Sequence, residues 1–377
     1  MMSFAQFGND LYTGRRQFDF VGRRRTWYAI SIVLLVVAAL GLLGRGLNLS
    51  LEFKGGSELR VQGVTQMNNY EQRATDTVRK VTGSDDPISV TKLGTNQIRI
   101  QAKNLGDNSA ATTDKVSQAL ATEFGVPTAS VDSSYIGPSW GKTVTNKALI
   151  ALVVFLVLVS VVLALYFRTW AMAFSALVAL LHDLAFTVGI YALTGFEVSP
   201  ATMIGFLTIL GYSIYDTVVV FDKVRENAAE AFATGRRSYG QAANYAVNQT
   251  LVRSINTSVV ALLPILSLLV VGFTLLGPGT LLDLALVLFV GIAVGTYSSI
   301  FIATPLLVSL RNREPAVQEL ARRAKQYQEL TASDETGTAQ SSSGVVDPDR
   351  EKVLAEARAE RAANKRELHP WATEDAE

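Results

Sequence analysis

Asp216 stands inside one of the apolar stretches of this chain, PATMIGFLTILGYSIYDTVVVFDKVREN over 200–227. At about 100° per residue, Gly205, Tyr212, Ser213 and Asp216 share one arc of a helix, and Thr208 also lies upstream. A carboxylate in hydrocarbon costs roughly 2.5 kcal/mol or more, so this acid should face protein or a wet cavity, as in an ion or proton path. A plainer reading makes Asp216 a helix-end marker, because Asp222 follows closely. The path reading needs a partner, and NQTLVRSINTSVV supplies Arg253 and Thr257, an i, i+4 pair with Asn256 alongside. Taken alone, Arg253 reads equally well as a snorkelling anchor. A third apolar stretch, ALLHDLAF, holds His182 and Asp183 side by side. Neighbours point about 100° apart, so the two cannot both face one partner squarely. The histidine reads first as a hydrogen-bonded packing residue, and the adjoining acid raises the functional share.

Other chemistries find no support. The chain has no nucleophile–base set and no nucleotide loop, so enzymatic activity is not expected. It lacks cysteine, which excludes disulfides and thiolate metal sites, and neither metal nor cofactor is expected. With 34 Lys and Arg against 33 Asp and Glu, the charge balance gives no reason to invoke nucleic acid.

The elements that would position these residues are membrane spans. Of the 377 residues 49% are hydrophobic, and the mean hydropathy is only +0.25. The apolar residues are gathered into six long runs, at 27–44, 148–167, 171–193, 200–221, 255–276 and 283–307. The first run follows Arg15, Arg16, Arg23, Arg24 and Arg25 and is short, so a signal peptide is its rival. Five further runs favour a retained anchor. Residues 1–26, Arg168, the loop 222–254 and the start of the tail are basic, whereas the loops 194–199 and 277–282 carry no Lys or Arg. The positive-inside rule then places both termini in the cytoplasm and residues 45–147 outside.

That outer stretch reads as a small α+β domain between the first and second spans. An alternating strand over 49–61 is broken by Gly55-Gly56, helical spacing covers 69–81, and strands at 88–93 and 97–102 flank Gly94-Thr95-Asn96. A helix at 111–124 and a strand at 128–136 follow. The order βαββαβ suggests a ferredoxin-like sandwich used for binding or bracing. The loop 222–254 should be helix lying on the inner surface, interrupted at 235–237. On the sixth span Gly291, Gly295 and Ser298 form a small-residue face for helix packing. The tail, 309–377, is charged, with a low-complexity segment at 331–344, and is read as disordered apart from a candidate helix at 348–368.

These pieces together resemble the SecF family of the bacterial Sec protein-export machinery, over roughly 15–308. The resemblance rests on LEFKGGS after the first span, ALLHDLAF, GYSIYDTVVVFDKVREN, NQTLVRSINTS and GTYSSIFIATPLL, in the family's order. In the motif Glu52, Phe53, Gly55, Gly56, the family usually has Asp where Glu52 stands. The resemblance implies half of an RND-type transporter whose other half is SecD. It implies work beside SecYEG in the cytoplasmic membrane on exported, unfolded polypeptides, driven by the proton gradient. It also implies relay roles for Asp216, Arg253 and Thr257, with Asp183 a secondary candidate. In that scheme a guanidinium moving toward and away from an acid makes it release and capture a proton, and Thr257 orients a water between them. Alternatives are half of an RND-like exporter of small molecules or lipids, and a structural membrane subunit.

Overall fold

The computed structural model describes residues 9–102, 109–167, 169–276 and 279–335. Arg168 and the candidate helix at 348–368 lie outside the described residues. Among the described residues six helices are long and apolar enough to cross a membrane: Arg24–Arg45, Trp140–Phe167, Trp170–Thr194, Pro200–Thr234, Tyr239–Thr274 and Thr280–Arg311. They are spans 1 to 6 below. Each contains an apolar run read from the sequence, except that span 5 stops two residues short of the end of its run. Spans 4 and 5 extend well beyond their runs on the side of their connection.

The chain divides into two compact units. The larger comprises Arg23–Val219 and Leu251–Ala303. Within it, four strands form one antiparallel sheet in the order β3-β4-β2-β5: β2 Gly56–Gln62, β3 Ile88–Leu93, β4 Gln97–Ala102 and β5 Val131–Ile136. Helices Tyr70–Thr82 and Ser109–Phe124 connect them. Alternation along the strands sends Leu59, Val61, Ile98 and Ile100 to one face. Ala74 and Val78 on one helix, and Val116, Leu120 and Phe124 on the other, recur every fourth residue and close the core over that face.

One expectation is corrected here. Residues 49–61 are not one strand: a two-residue β1 (Asn48–Leu49) is followed by a helical turn, Leu51–Lys54, before β2 begins. Gly55 (φ 75°) accepts the positive φ that ends this turn, donating its N–H to Leu51 O at 2.7 Å, and Gly56 (φ 140°) enters the strand. Phe53, held on the turn, packs into the apolar cluster of Tyr191, Phe206 and Ile209 from spans 3 and 4, while Glu52 is half-buried. β1 pairs in parallel with β6, Glu197–Val198, in the link between spans 3 and 4.

The second unit consists of Val220–Thr250 and the described parts of Met1–Gly22 and Thr304–Glu377. Asn248 and Asn244 on span 5's helix fasten the N-terminal segment, accepting from Phe18 N and Phe20 N at 2.8 Å each. Residues 222–254 are helical with a break after Thr234: they continue the helices of spans 4 and 5, which turn at Gly235 (φ 67°). The described part of the tail, 309–335, is not disordered. Pro315–Glu335 is a helix that buries Val317, Leu320 and Ala324, an i, i+3, i+7 stripe set among many charges.

Candidate ion site between the spans

Small residues set the distance between spans 4 and 6. Gly205 meets Val287, Gly291 meets Ile209 and Gly295 meets Ser213, so the two helices run in register along one seam. A Cβ on Gly291 would fall on Ile209 Cδ1, with Ile209 Cβ at 2.8 Å; one on Gly295 would lie 3.1 Å from Ser213 Cβ. The face Gly291, Gly295, Ser298 thus packs against a helix of this same chain, and Ser298 Oγ donates to Gly295 O at 3.2 Å.

Asp216 lies next along that seam, 5% exposed. Its Oδ1 accepts from Ser254 Oγ of span 5 at 2.7 Å, and its Oδ2 from Ser299 Oγ of span 6 at 2.6 Å. Ser299 opens a π-helical turn, Ser299–Ala303, inserted into span 6. The extra residue in such a turn re-aims side chains, and here it delivers a hydroxyl to the acid. Two donors on two acceptor oxygens suit an ionised carboxylate. A protonated acid would have to donate on one side, so one serine hydrogen must turn away. Ser299 has somewhere to send it, since Thr296 O lies 3.2 Å from its Oγ.

Asp183 forms a second centre on span 3, 1% exposed. Ser213 Oγ donates to its Oδ2 at 2.5 Å, and His182 Nδ1 lies 3.3 Å from its Oδ1. Ser213 and Asp216 are one helical turn apart on span 4, so span 4 carries one acid and holds the other through a hydrogen bond.

The structure does not bring the remaining relay candidates to Asp216. Arg253 is exposed, and among the described residues no ion pair joins it to Asp216. Thr257 Oγ1 is spent on its own helix, donating to Arg253 O and Ser254 O at 3.0 Å. Thr208 likewise bonds Ile204 O. Sequence reasoning picked out neither Ser254 nor the contact of Ser299. Ser254 and Ser258, both buried, form an i, i+4 hydroxyl pair, a faint signal in the sequence.

The open face of the sheet carries a separate polar node. Arg99 pairs with Glu58 (2.7 Å) and with Glu197 of the span 3–4 link (3.0 Å), and Arg60 also bonds Glu58 at 2.7 Å. Burial works against the charge of Glu58, but Arg99 and Arg60 outweigh it and hold the carboxyl below its usual range. Burial likewise opposes the charge on Arg99, and Glu197 and Glu58 push its pKa up. A cavity of about 600 Å³ opens here, lined by Lys54, Gly55, Arg99, Glu197 and Asp283 among others.

The fold and the buried acids define a multi-pass membrane protein with an α+β insert. Residues 116–313 match the family model described as protein export membrane protein SecD/SecF, C-terminal, and residues 41–66 match the SecD/SecF GG motif. The protein translocase subunit SecF of Streptomyces coelicolor is 44% identical over 352 residues, covering 93% of this chain and 92% of the relative. SecF of Mycobacterium tuberculosis is 45% identical over 325 residues, 84% of this chain and 72% of its own. The crystal structure of SecDF from Thermus thermophilus, titled a translocon-associated membrane protein, superposes with a TM-score of 0.66 at 32% identity. That match covers 79% of this chain and 39% of the SecDF chain, so the present chain spans well under half of that relative. The chain belongs to the SecF family of protein translocase subunits.

Proposed function

We propose that this chain assists protein export across the bacterial cytoplasmic membrane as one half of a complex with SecD, beside SecYEG, and that a proton gradient acts through Asp216. The observation that carries the reading is Asp216 itself: a buried acid whose two oxygens are held by hydroxyls from two other spans. A proton arriving there removes the need for one donor. The response falls on span 5 or span 6, which is how a titration becomes a helix movement.

Arg253 enters as the gating charge of a second conformation. It precedes Ser254 in span 5, about 100° around the helix. Turning span 5 by that amount would exchange a neutral donor for a guanidinium beside Asp216 and favour release of the proton. Thr257, on the following turn, and Asp183, tied to span 4 by Ser213, are the further relay candidates. The chain performs no covalent chemistry on its substrate. Both termini are cytoplasmic, and residues 45–147 form a ferredoxin-like extracytoplasmic domain that contacts the emerging unfolded polypeptide or the partner's outer domain. The βαββαβ order and the sheet order β3-β4-β2-β5 support that assignment.

Two measurements test the reading. Extraction in mild detergent should co-purify a second six-span subunit. Inverted vesicles depleted of this chain should lose the part of export that depends on the proton gradient and regain it when the chain is restored. Recovery of the chain without a membrane partner, together with unchanged gradient dependence, contradicts the proposal.

A further inference from the structure

His182 is 8% exposed, and its Nε2 is buried with no hydrogen-bond partner among the described residues. A histidine kept only for packing normally satisfies both ring nitrogens, because a buried polar atom left unpaired is costly. Its other nitrogen is engaged: Nδ1 lies 3.3 Å from Asp183 Oδ1, and the remaining carboxylate oxygen accepts from Ser213 Oγ at 2.5 Å. With Asp183 ionised both oxygens accept, so Nδ1 must carry the ring hydrogen and donate. Nε2 is then a bare lone pair. The ring is flanked by Phe186, stacked at 6.0 Å, and by Tyr297 of span 6 at 6.3 Å. Among the described residues, Asp183 on its own helix bonds the ring and Tyr297 lies beside it. Ser213 of span 4 and Ser31 of span 1, whose hydroxyl is 3.3 Å from that of Tyr297, lie one hydrogen bond further out.

The geometry points to His182 Nε2 as a second proton-binding site, paired with Asp183. The inference rests on the reading of Asp216 given above and extends it. A proton bonds to the Nε2 lone pair, the imidazole becomes a cation, and the carboxylate of Asp183 compensates it in place; release breaks the same N–H bond. Because Asp183 is tied through Ser213 to the helix that carries Asp216, the charge on the pair bears on the position of span 4. The transported proton therefore meets two centres on spans 3 and 4.

The chain contains two histidines, His182 and His369, so H369Q leaves one imidazole to observe. Nitrogen NMR of the ¹⁵N-histidine-labelled full chain in lipid nanodiscs then reads the tautomer directly. The neutral ring should carry its hydrogen on Nδ1, and Nε2 should gain a proton as the pH is lowered over the range in which the nanodisc sample stays folded. A ring with its hydrogen on Nε2, or one unchanged across that range, overturns the inference. Export into vesicles supplies the second readout. Asparagine in H182N can keep the Nδ1-like donation to Asp183 but has no atom that binds a proton at Nε2. It should lose the gradient-dependent part of export, and a full gradient response in H182N overturns the inference. If D216N keeps its gradient response, the underlying reading fails, whereas loss in D216N with retention in H182N refutes His182 alone.

Discussion

Replacing Gly291 with alanine tests the seam that brings Ser299 to Asp216. The new Cβ would fall on Ile209 Cδ1, with Ile209 Cγ2 at 2.6 Å and Cβ at 2.8 Å, so a change of rotamer does not clear it and the helices must part. Overpacking of this kind costs about 1–3 kcal/mol. Alanine also gains up to about 1 kcal/mol of helix propensity, which would mask part of the effect. Gly211 provides the correction: a Cβ there meets nothing within 4 Å, so G211A carries the same propensity gain without the overlap. The difference between the two variants isolates the overlap and should be about 1–3 kcal/mol. G295A should fall between them, since its Cβ would sit 3.1 Å from Ser213 Cβ and requires a shift of only a few tenths of an ångström. The assay is chemical unfolding of the purified chain in micelles. If G291A is as stable as G211A, spans 4 and 6 do not meet as described, and the contact of Ser299 with Asp216 goes with them.

S254A and S299A should each weaken the gradient-dependent part of export, because a hydrogen bond to a charged group is worth about 1.5–3 kcal/mol; vesicles in which the double variant behaves as wild type would count against the hydroxyl cage. R253K should impair gradient-driven export while the chain still inserts, since an ammonium does not reproduce the planar fork, and unchanged rates would remove Arg253 from the cycle. R99Q should destabilise the full chain at neutral pH. Glu58 has its folded pKa depressed, so its contribution is present above the usual value of 4.5 and is lost as pH falls through the folded value. Thermal unfolding should therefore show the gap between wild type and R99Q narrowing in acid, and a gap that widens there contradicts the pairing.

Charge in an apolar run is a loud signal, which is why Asp183 and Asp216 stand out in the bare sequence. Their partners are quiet. Serine is at home on any helix face, and Ser299 reaches Asp216 only because a π turn at Ser299–Ala303 shifts the register of span 6, a feature with no residue signature. Spacing places Arg253 on the right span, but it does not show that the neighbouring Ser254 is the residue that reaches Asp216 in this conformation. Apolar runs and four-residue spacing make the spans and the helices at Tyr70–Thr82 and Ser109–Phe124 legible. The turn Leu51–Lys54 hides within an alternating pattern, and its end is marked only by Gly55-Gly56. Charge density obscured the helix Pro315–Glu335, whose buried stripe is three residues wide. The pairing of β1 with β6 is two residues long on each strand, too short to leave any periodicity.

The most direct test of the central claim is export of a secretory precursor into inverted membrane vesicles carrying D216N, measured with and without a proton gradient. Asparagine keeps the size of the side chain and still accepts from one serine, so the chain should insert and assemble. Export without the gradient should match wild type, and the stimulation that the gradient adds should be absent. A D216N vesicle that retains the full stimulation would make Asp216 a packing residue and contradict the account.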